Sequence, residues 1–262
     1  MIEKIGLQLY TVREHFKTPE MASETFRKLK NLGYDQAQTA GCYGMDYELF
    51  YNLAKEQGIE IVGTHDNFGM MTTDLSTAVE NHKKLHTTNM GIGGFFPPEL
   101  NVETVEAFIK DANKVAAGIA KEGMKFTYHN HSHEFVRLAN GKTVMEMLIE
   151  GLDPANTSFV LDTYWVQNAG GDVCSWIEKL AGRIDILHLK DMEYIAEKNE
   201  EGNNVYHNRI TAVGRGNMDF FKIVDAAQKA GVKYYCVEQD NCPFDFEHDL
   251  KFSSDFLHKN FM

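Results

Sequence analysis

The chain has 262 residues, of which 43% are hydrophobic and 24% charged, a composition that excludes disordered and fibrous proteins. No run approaches the roughly 18 apolar residues of a membrane helix, and residues 1–11 lack the basic-then-apolar pattern of a signal peptide. We therefore expect a cytoplasmic protein with no membrane partner. The formal net charge of −12, with no Lys/Arg run longer than two, argues against nucleic acid as a partner.

Strand-like and helix-like segments alternate along the whole chain. Eight segments of strand length are rich in apolar, β-branched and aromatic residues, namely 5–11, 34–40, 59–65, 88–95, 125–131, 158–165, 184–191 and 233–240. Amphipathic helical patterns follow them at 19–32, 46–57, 76–86, 102–122, 143–150, 172–181, 219–230 and 246–260. Strict alternation predicts a parallel sheet, and eight repeats in this length predict one domain over 1–262 that folds as an α/β (β/α)8 TIM barrel.

The rival fold is an open, doubly wound sheet. That fold is disfavoured because no glycine-rich phosphate loop follows the first strand, which continues directly into Thr11-Val12-Arg13. The glycine-rich segment 91–98 lacks the Lys and Ser/Thr of a phosphate loop and is predicted to be a tight exit from strand 4. The polar segment 193–209 is predicted to be a lid or a solvated loop. Apolar residues near the C-terminus either close the barrel bottom or form a homo-oligomer contact, and they are Phe252, Phe256, Leu257 and Phe261.

Polar side chains stand at the ends of the predicted strands. In barrel enzymes the active site forms from the C-terminal strand ends and the loops that follow them. Burial of an ionisable group costs several kcal/mol unless the group is paired or ligates a metal. A ring of such groups at one barrel mouth therefore indicates a bound ion, a substrate or a hydrogen-bonded network. These residues are Gln8, Tyr10, Gln36, Gln38, His65, Asp66, His129, His131, Asp162, His188, Lys190 and Glu238.

Asp162, His188 and Glu238 are the strongest candidates for metal ligands. Each ends a predicted strand between apolar neighbours, although Asp162 alone would also fit the N-cap of a helix. Carboxylate oxygens combined with an imidazole suit Mn²⁺, Mg²⁺ or Co²⁺, with Zn²⁺ as a further candidate. The set contains no cysteine, which argues against a structural zinc site.

Four segments resemble the sugar phosphate isomerase/epimerase superfamily, the xylose-isomerase-like barrels. The resemblance runs along the whole chain and identifies the family better than the substrate. The superfamily includes ketose epimerases, aldose-ketose isomerases, inosose and dehydroshikimate dehydratases, and a DNA-repair endonuclease branch that the acidic charge balance disfavours. The matching segments are 161–165 (LDTYW), 187–191 (LHLKD), 213–220 (VGRGNMDF) and 237–238 (VE).

The resemblance places Asp162, His188 and Glu238 on three of the family's four metal-ligand positions. The family's fourth ligand is a glutamate at the end of strand 5, where this chain has His129. Either His129 replaces that carboxylate, or Glu134 reaches back from the following loop. Because side chains alternate along a strand, His129 and His131 share one face, and we prefer His129 as ligand and His131 as the proton-transfer group.

The resemblance also implies substrate contacts. His65 matches a strand 3 histidine that contacts substrate, and Lys190 and Arg215 match groups that reach hydroxyls or a phosphate. For both cations a salt bridge to a neighbouring carboxylate is the alternative. Trp165 and Phe68 either supply an apolar wall against a sugar ring or belong to the core.

The candidate ligands and the resemblance together imply a metal-dependent sugar isomerase or epimerase. In that hypothesis the metal binds adjacent oxygens of a sugar or sugar-derived ketone, His131 or Glu238 takes the proton beside the carbonyl, and an enediolate forms. Loss of a β-hydroxyl from the same intermediate would instead make the protein a dehydratase or lyase on a keto-sugar or inosose. A catalytically silent sugar-binding barrel is the alternative from another class.

Overall fold

Eight parallel strands form a nearly closed barrel surrounded by helices, in a computed structural model that describes residues 1–242 and 245–262. The barrel strands are β1 (Gly6–Gln8), β2 (Gln36–Thr39), β3 (Glu60–Thr64), β4 (Asn89–Ile92), β5 (Lys125–His129), β6 (Thr157–Asp162), β7 (Ile184–Leu189) and β10 (Tyr234–Val237). Two further strands, β8 (Asp191–Lys198) and β9 (Asn204–Thr211), form a separate sheet. The helices are α1 (Pro19–Asn31), α2 (Tyr47–Glu56), α3 (Phe68–Thr73), α4 (Leu75–Lys83), α5 (Val102–Ala120), α6 (Val144–Gly151), α7 (Thr163–Asn168), α8 (Val173–Lys179), α9 (Phe220–Lys229) and α10 (Phe246–Phe261). The predicted TIM barrel is confirmed.

The strand ladder runs in the order β3-β2-β1-β10-β7-β6-β5-β4. The two ends of this ladder, β3 and β4, meet through hydrogen bonds that involve side chains. Asn89 Nδ2 donates to the Val62 carbonyl at 2.9 Å, and the Gly91 N–H donates to Thr64 Oγ1 at 3.3 Å. The Asp66 N–H donates to the Gly91 carbonyl at 2.7 Å. Gly91 therefore lies at the seam that closes the barrel.

The barrel interior is layered by the alternation of side chains along each strand. An apolar layer holds Val62, Val160, Ile186 and Cys236, all buried. Two residues further along three of these strands, the same inward direction is taken by Asp162, His188 and Glu238, which are also buried. The alternation of side chains thus places Asp162, His188 and Glu238 at the C-terminal mouth of the barrel.

The barrel strands end earlier than the sequence pattern indicated, and at β1 and β6 a capping side chain explains the early end. The Gln8 side chain accepts a hydrogen bond from the Tyr10 N–H at 3.1 Å, and the chain turns there into a 3₁₀ segment over Leu9–His15. Asp162 ends β6 because its Oδ1 accepts from the Trp165 N–H at 2.9 Å and starts α7. Side chains that cap backbone N–H groups compete with strand pairing at both positions.

The segment 193–209 is not an irregular loop, which was one of the two alternatives that the sequence suggested. It lies in an antiparallel hairpin of β8 and β9, paired from Asp191 with Thr211 to Lys198 with Asn204. The turn is held by Asn199, whose side chain accepts from the Asn203 N–H at 2.8 Å, and by Gly202 at φ +81°. A polar sequence can form such a ribbon because backbone hydrogen bonds, not burial, join the two strands.

The C-terminal helix α10 packs against the barrel. Leu257 is fully buried. The Phe256 ring packs closely on Gly214, where an added Cβ would lie 2.3 Å from Phe256 Cγ. The Ile2 N–H donates to the Phe261 carbonyl at 2.9 Å, which joins the two chain ends. Over residues 1–242 and 245–262, none of the helices is both long and apolar enough to cross a lipid bilayer.

We expect Gly91→Ala to lower the free energy of unfolding by about 1–3 kcal/mol, the usual range for overpacking. A Cβ at position 91 would lie 2.1 Å from Thr127 Oγ1 and 2.7 Å from the Thr64 carbonyl oxygen, in the seam between β3 and β4. Urea denaturation of both proteins measures the difference. Gly69→Ala in α3 is the control, because its nearest contact is a side-chain oxygen at 3.0 Å. Equal stability of Gly91→Ala and the parent would contradict the close packing of the seam.

Candidate metal centre and active site

Four buried side chains converge at the C-terminal mouth of the barrel. His129 ends β5, Asp162 ends β6, His188 lies in β7 and Glu238 follows β10. Their relative exposures lie between 0% and 4%. One candidate ligand atom from each of them lies within 4.8 Å of the other three. The structure thus brings together the three ligand positions found in the sequence and His129, the preferred fourth.

The separations between these atoms fit a shared cation. His188 Nδ1 lies 3.0 Å from Glu238 Oε2 and 3.2 Å from His129 Nε2. His129 Nε2 lies 3.6 Å from Asp162 Oδ2 and 3.9 Å from Glu238 Oε2. Donor atoms about 2.1 Å from one ion lie roughly 3–3.5 Å from one another. The four side chains are therefore close to the spacing that a divalent ion requires.

The orientation of the two imidazoles also favours a cation between them. His129 Nδ1 lies 3.2 Å from the Gly93 carbonyl oxygen, and His188 Nε2 lies 2.5 Å from Gln38 Oε1. Both oxygens can only accept, so each ring places its proton on the far nitrogen. The nitrogens that face each other then both present lone pairs, and such pairs repel unless a positive charge lies between them. Gln8 fixes Gln38 by donating from Nε2 to Oε1 at 2.9 Å.

The chemistry of the carboxylates completes the fit. Asp162 uses Oδ1 to cap α7, whereas its buried Oδ2 has no hydrogen-bond donor among the described residues. Burial opposes the charge of His188, but Glu238 and Asp162 outweigh burial and raise its pKa to about 9. The buried carboxylates of the cluster are therefore stabilised by a positive charge nearby. Two carboxylates and two imidazoles, with no thiolate, suit Mn²⁺, Co²⁺, Mg²⁺ or Zn²⁺.

Lys190 supplies one fixed positive charge beside this cluster. Its buried Nζ lies 2.9 Å from Asp240 Oδ1, 3.2 Å from Glu238 Oε2 and 3.6 Å from Asp162 Oδ2. Burial opposes the ammonium charge, but the three carboxylates outweigh it and raise the pKa of Lys190. The salt bridge that the sequence left as an alternative is therefore present, and Lys190 also lines a cavity above the cluster.

A cavity of about 430 Å³ opens above the cluster. Its volume falls within the range of small-molecule sites. His65 lines it, with its ring 5.0 Å from the His129 ring and a buried Nε2 without a partner among the described residues. Burial and the nearby His129 lower the pKa of His65. The lining residues are Tyr10, Ala40, His65, Gly93, Phe96, His129, His131, Lys190, Glu238 and Asp240.

His131 reaches this cavity, and Glu134 supports the backbone beneath it. Glu134 Oε2 accepts from the His131 N–H and Oε1 accepts from the Tyr128 hydroxyl, both at 2.7 Å. The structure therefore does not bring Glu134 to the four-residue cluster. Burial raises the pKa of Glu134 to about 7. Burial lowers the pKa of His131 to about 3, so this imidazole is neutral at pH 7.

Three other sequence candidates lie outside the cavity lining. Arg215 Nη1 lies 2.7 Å from Asp249 Oδ1, so its salt-bridge alternative is present. Phe68 packs against Phe108 with ring centroids 5.0 Å apart. Trp165 contacts two lining residues, with its ring centroid 5.3 Å from that of His131 and 4.8 Å from Lys190 Nζ.

Sequence reasoning missed two residues at this site, Asp240 and Phe96, and the roles of Gln8 and Gln38. Asp240 follows Glu238 by two positions, and alternation along the predicted strand 233–240 would have placed both side chains on one face. Phe96 belongs to the glycine-rich segment 91–98 after strand 4, whose sequence indicated no ligand-binding role. Gln8 and Gln38 stood among the polar strand ends, but nothing in the sequence indicated that they orient His188.

A family model described as xylose isomerase-like TIM barrel matches residues 26–257. The chain belongs to this family. The match confirms the resemblance seen in the sequence, and the family includes isomerases, epimerases and dehydratases.

Individual members of the xylose isomerase-like family are similar to this chain at low sequence identity. An inosose dehydratase of Geobacillus thermodenitrificans (strain NG80-2) is 27% identical over 164 residues, which cover 59% of this chain and 54% of that relative. The match thus spans about half the length of the relative. A sugar phosphate isomerase/epimerase from Parabacteroides distasonis ATCC 8503 superposes with a TM-score of 0.83 at 20% identity, covering 99% of this chain and 95% of that one. An L-ribulose 3-epimerase gives 0.72 at 14% identity, covering 98% and 94%. At these identities the two structures establish the fold alone.

We expect the purified protein to hold about one divalent ion per chain and the His188→Ala variant to hold none. His188 lies within 3.7 Å of the other three candidate ligands, so its loss removes the centre of the cluster. Elemental mass spectrometry after incubation with Mn²⁺ or Co²⁺ measures the content. His207→Ala, on the exposed hairpin, is the control and should retain the ion. A metal-free parent would contradict the assignment.

We expect Gln38→Leu to weaken Mn²⁺ or Co²⁺ binding by about 10–100-fold, the usual effect of losing a partner that orients a ligand. Without Gln38 Oε1 the His188 ring is free to carry its proton on Nδ1, the nitrogen that faces the cluster. Isothermal titration calorimetry of the metal-free proteins measures the affinity. Gln228→Leu on the exposed face of α9 is the control. Equal affinities of Gln38→Leu and the parent would rule out this orienting role.

Proposed function

We propose that this protein is a divalent-metal-dependent enzyme that removes the proton beside the carbonyl of a small sugar or sugar-derived ketone, as an isomerase or epimerase. One observation carries the proposal: the buried cluster of His129, Asp162, His188 and Glu238 opens onto a cavity of small-molecule size. Folding alone gives no reason to bury such groups together, because their desolvation is unfavourable.

A divalent ion held by these four residues would polarise a carbonyl oxygen and stabilise the negative charge that develops on it. Lys190 adds a second fixed positive charge, since its ammonium is held by the carboxylates of Glu238, Asp240 and Asp162. Preorganised charge of this kind is usually the largest contribution to catalysis of enolisation.

His131 is the proposed proton-transfer group. It lines the cavity, and its ring centroid lies 4.6 Å from that of His129. Its Nδ1 is buried and has no hydrogen-bond partner among the described residues. Hydrogen bonding of Glu134 to the His131 N–H holds the backbone in place. Glu238 is the carboxylate alternative, although Lys190 and His188 already engage its Oε2.

Dehydration of a keto-sugar or inosose is the second candidate, and a specific observation favours it. The imidazoles of His65, His129 and His131 form a row along the cavity, whereas the two lining carboxylates, Glu238 and Asp240, both contact Lys190. An imidazole can protonate a departing hydroxyl. The similarity to an inosose dehydratase supports this outcome as well.

Solvent deuterium exchange tests the proposal and distinguishes an isomerase or epimerase from a dehydratase and from a silent binding protein. The protein loaded with Mn²⁺ is incubated in D₂O with a panel of ketoses and keto-inositols, and the products are followed by proton NMR. Exchange with an isomeric product supports an isomerase or epimerase, and exchange with loss of water supports a dehydratase. Binding without exchange for the whole panel would favour a silent sugar-binding barrel and overturn the proposal.

We expect His131→Ala to slow the deuterium exchange by about 10²–10⁴-fold, the usual contribution of a positioned acid or base. The metal content should stay at the parent level, because His131 lies outside the four-residue cluster. His133→Ala is the matched control, since His133 does not line the cavity and its Nε2 lies 2.8 Å from the Phe95 carbonyl oxygen. Exchange by His131→Ala at the parent rate would remove His131 from the mechanism.

A further inference from the structure

Two buried glutamines, Gln8 and Gln38, contact two histidines of the site. Gln8 ends β1 and Gln38 lies in β2, and both side chains are fully buried. Gln8 Nε2 lies 2.9 Å from Gln38 Oε1 and 3.3 Å from His65 Nδ1. Gln38 Oε1 also faces His188 Nε2. The positions of the ring protons of both histidines therefore depend on the orientation of these two amides.

One backbone N–H fixes the orientation of the Gln8 amide. The Tyr10 N–H, in the 3₁₀ segment that follows β1, lies 3.1 Å from Gln8 Oε1. A backbone N–H can only donate, so this atom must be the amide oxygen and Nε2 must face the opposite side. The Gln38 atom that faces Gln8 Nε2 must in turn be an oxygen, because two donors would repel each other. The turn after β1 thus sets both amides.

The two amides determine which nitrogen of each imidazole carries the proton. Gln8 donates to His65 Nδ1, so this nitrogen presents a lone pair and the proton lies on Nε2. Gln38 accepts from His188 Nε2, so the His188 Nδ1 that faces the cluster presents a lone pair. One pair of glutamines thus gives the cluster a lone pair from His188 and leaves an N–H on His65.

The N–H of His65 has no acceptor among the described residues. Its Nε2 is buried, and the ring lines the cavity with its centroid 5.0 Å from that of His129 and 5.8 Å from that of His188. A buried donor without an acceptor is unfavourable. An oxygen of a ligand bound beside the cluster would accept from it, and a negatively charged oxygen would accept most strongly.

We propose that Gln8 is a positioning residue that makes His65 a hydrogen-bond donor to the substrate oxygen on which negative charge develops. Through Gln38 it also keeps the His188 lone pair directed at the cluster. Gln8 is not among the described residues that line the cavity, so it acts through these rings. The inference rests on the proposed function, because the charge arises when the proton beside the carbonyl is removed.

NMR of the metal-free, ¹⁵N-labelled protein measures the tautomer directly. Couplings to the ring C–H protons distinguish the protonated nitrogen of an imidazole from the bare one, and the spectrum of His65→Phe identifies the His65 signals. We expect the His65 proton on Nε2 in the parent. A proton on Nδ1 would overturn the inference. This measurement requires neither bound metal nor turnover.

Gln8→Glu reverses the donor at nearly constant shape. The carboxylate retains an oxygen for the Tyr10 N–H but turns an acceptor towards His65, so we expect the His65 proton to move to Nδ1. With the protein saturated with Mn²⁺, kcat for deuterium exchange should fall about 10²–10³-fold with little change in KM, the usual effect of losing a donor to developing charge. Gln228→Glu adds the same charge on the exposed face of α9 and should retain the parent tautomer and kcat.

Two leucine variants separate the two effects of Gln8, and they do not bury a charge. Gln38→Leu breaks the contact with His188 alone, so the His65 proton should stay on Nε2 while Mn²⁺ affinity falls. Gln8→Leu removes the donor to His65 Nδ1, so the proton should divide between the two ring nitrogens. Its kcat should fall less than that of Gln8→Glu.

The remaining outcomes are distinct from one another. A His65 proton on Nε2 in both Gln8 variants would show that Gln8 does not decide the tautomer, and would overturn the inference. A proton that moves to Nδ1 while kcat stays at the parent value would remove His65 as a donor in catalysis. Absence of exchange by the parent on every ketose and keto-inositol would refute the proposed function and the role of His65 with it, whereas the NMR result would still decide separately whether Gln8 sets the tautomer.

Discussion

The neutralisation of buried charge at the barrel mouth is the constraint on which the site depends. Three carboxylates stand around the Lys190 ammonium, and two imidazole nitrogens with lone pairs face each other at 3.2 Å. Further positive charge stabilises such an arrangement, and either a divalent ion or a proton on His188 would supply it. The same requirement makes the cluster a candidate metal site, because a bound cation would lower the cost of burying these carboxylates.

The barrel carries this cluster because of the two-residue period of its strands. Val160, Ile186 and Cys236 point inward, and the next inward positions on those strands are Asp162, His188 and Glu238. In the sequence, this alternation is visible as polar residues at the ends of apolar runs. The fold and the convergence of these three side chains could therefore be predicted, and the family match agrees with the fold. The choice of His129 over Glu134 also followed from alternation, since His129 shares the inward face and Glu134 lies in the loop beyond.

What could not be predicted depends on contacts between the tips of side chains from distant segments. Gln38 orients His188 across the barrel, 150 positions away in the chain, and no local pattern encodes that hydrogen bond. Lys190 and Arg215 looked alike in sequence, but the structure puts one among the site carboxylates and pairs the other with Asp249. The β8–β9 hairpin was missed for a different reason. Its stability comes from backbone pairing and an asparagine turn, whereas sequence patterns report mainly on burial.

Asp162 ties local folding to the site through a single carboxylate. Asp162 Oδ1 caps the N-terminus of α7, and Oδ2 faces His129 and His188. The length of this one side chain suits both contacts. An asparagine would retain an oxygen for the cap but present an amide to the imidazoles, and a glutamate would displace both atoms by a methylene group. The two roles of Asp162 therefore tolerate different substitutions. Among variants at position 162, selection for folding would accept asparagine, whereas selection for metal retention would accept aspartate alone.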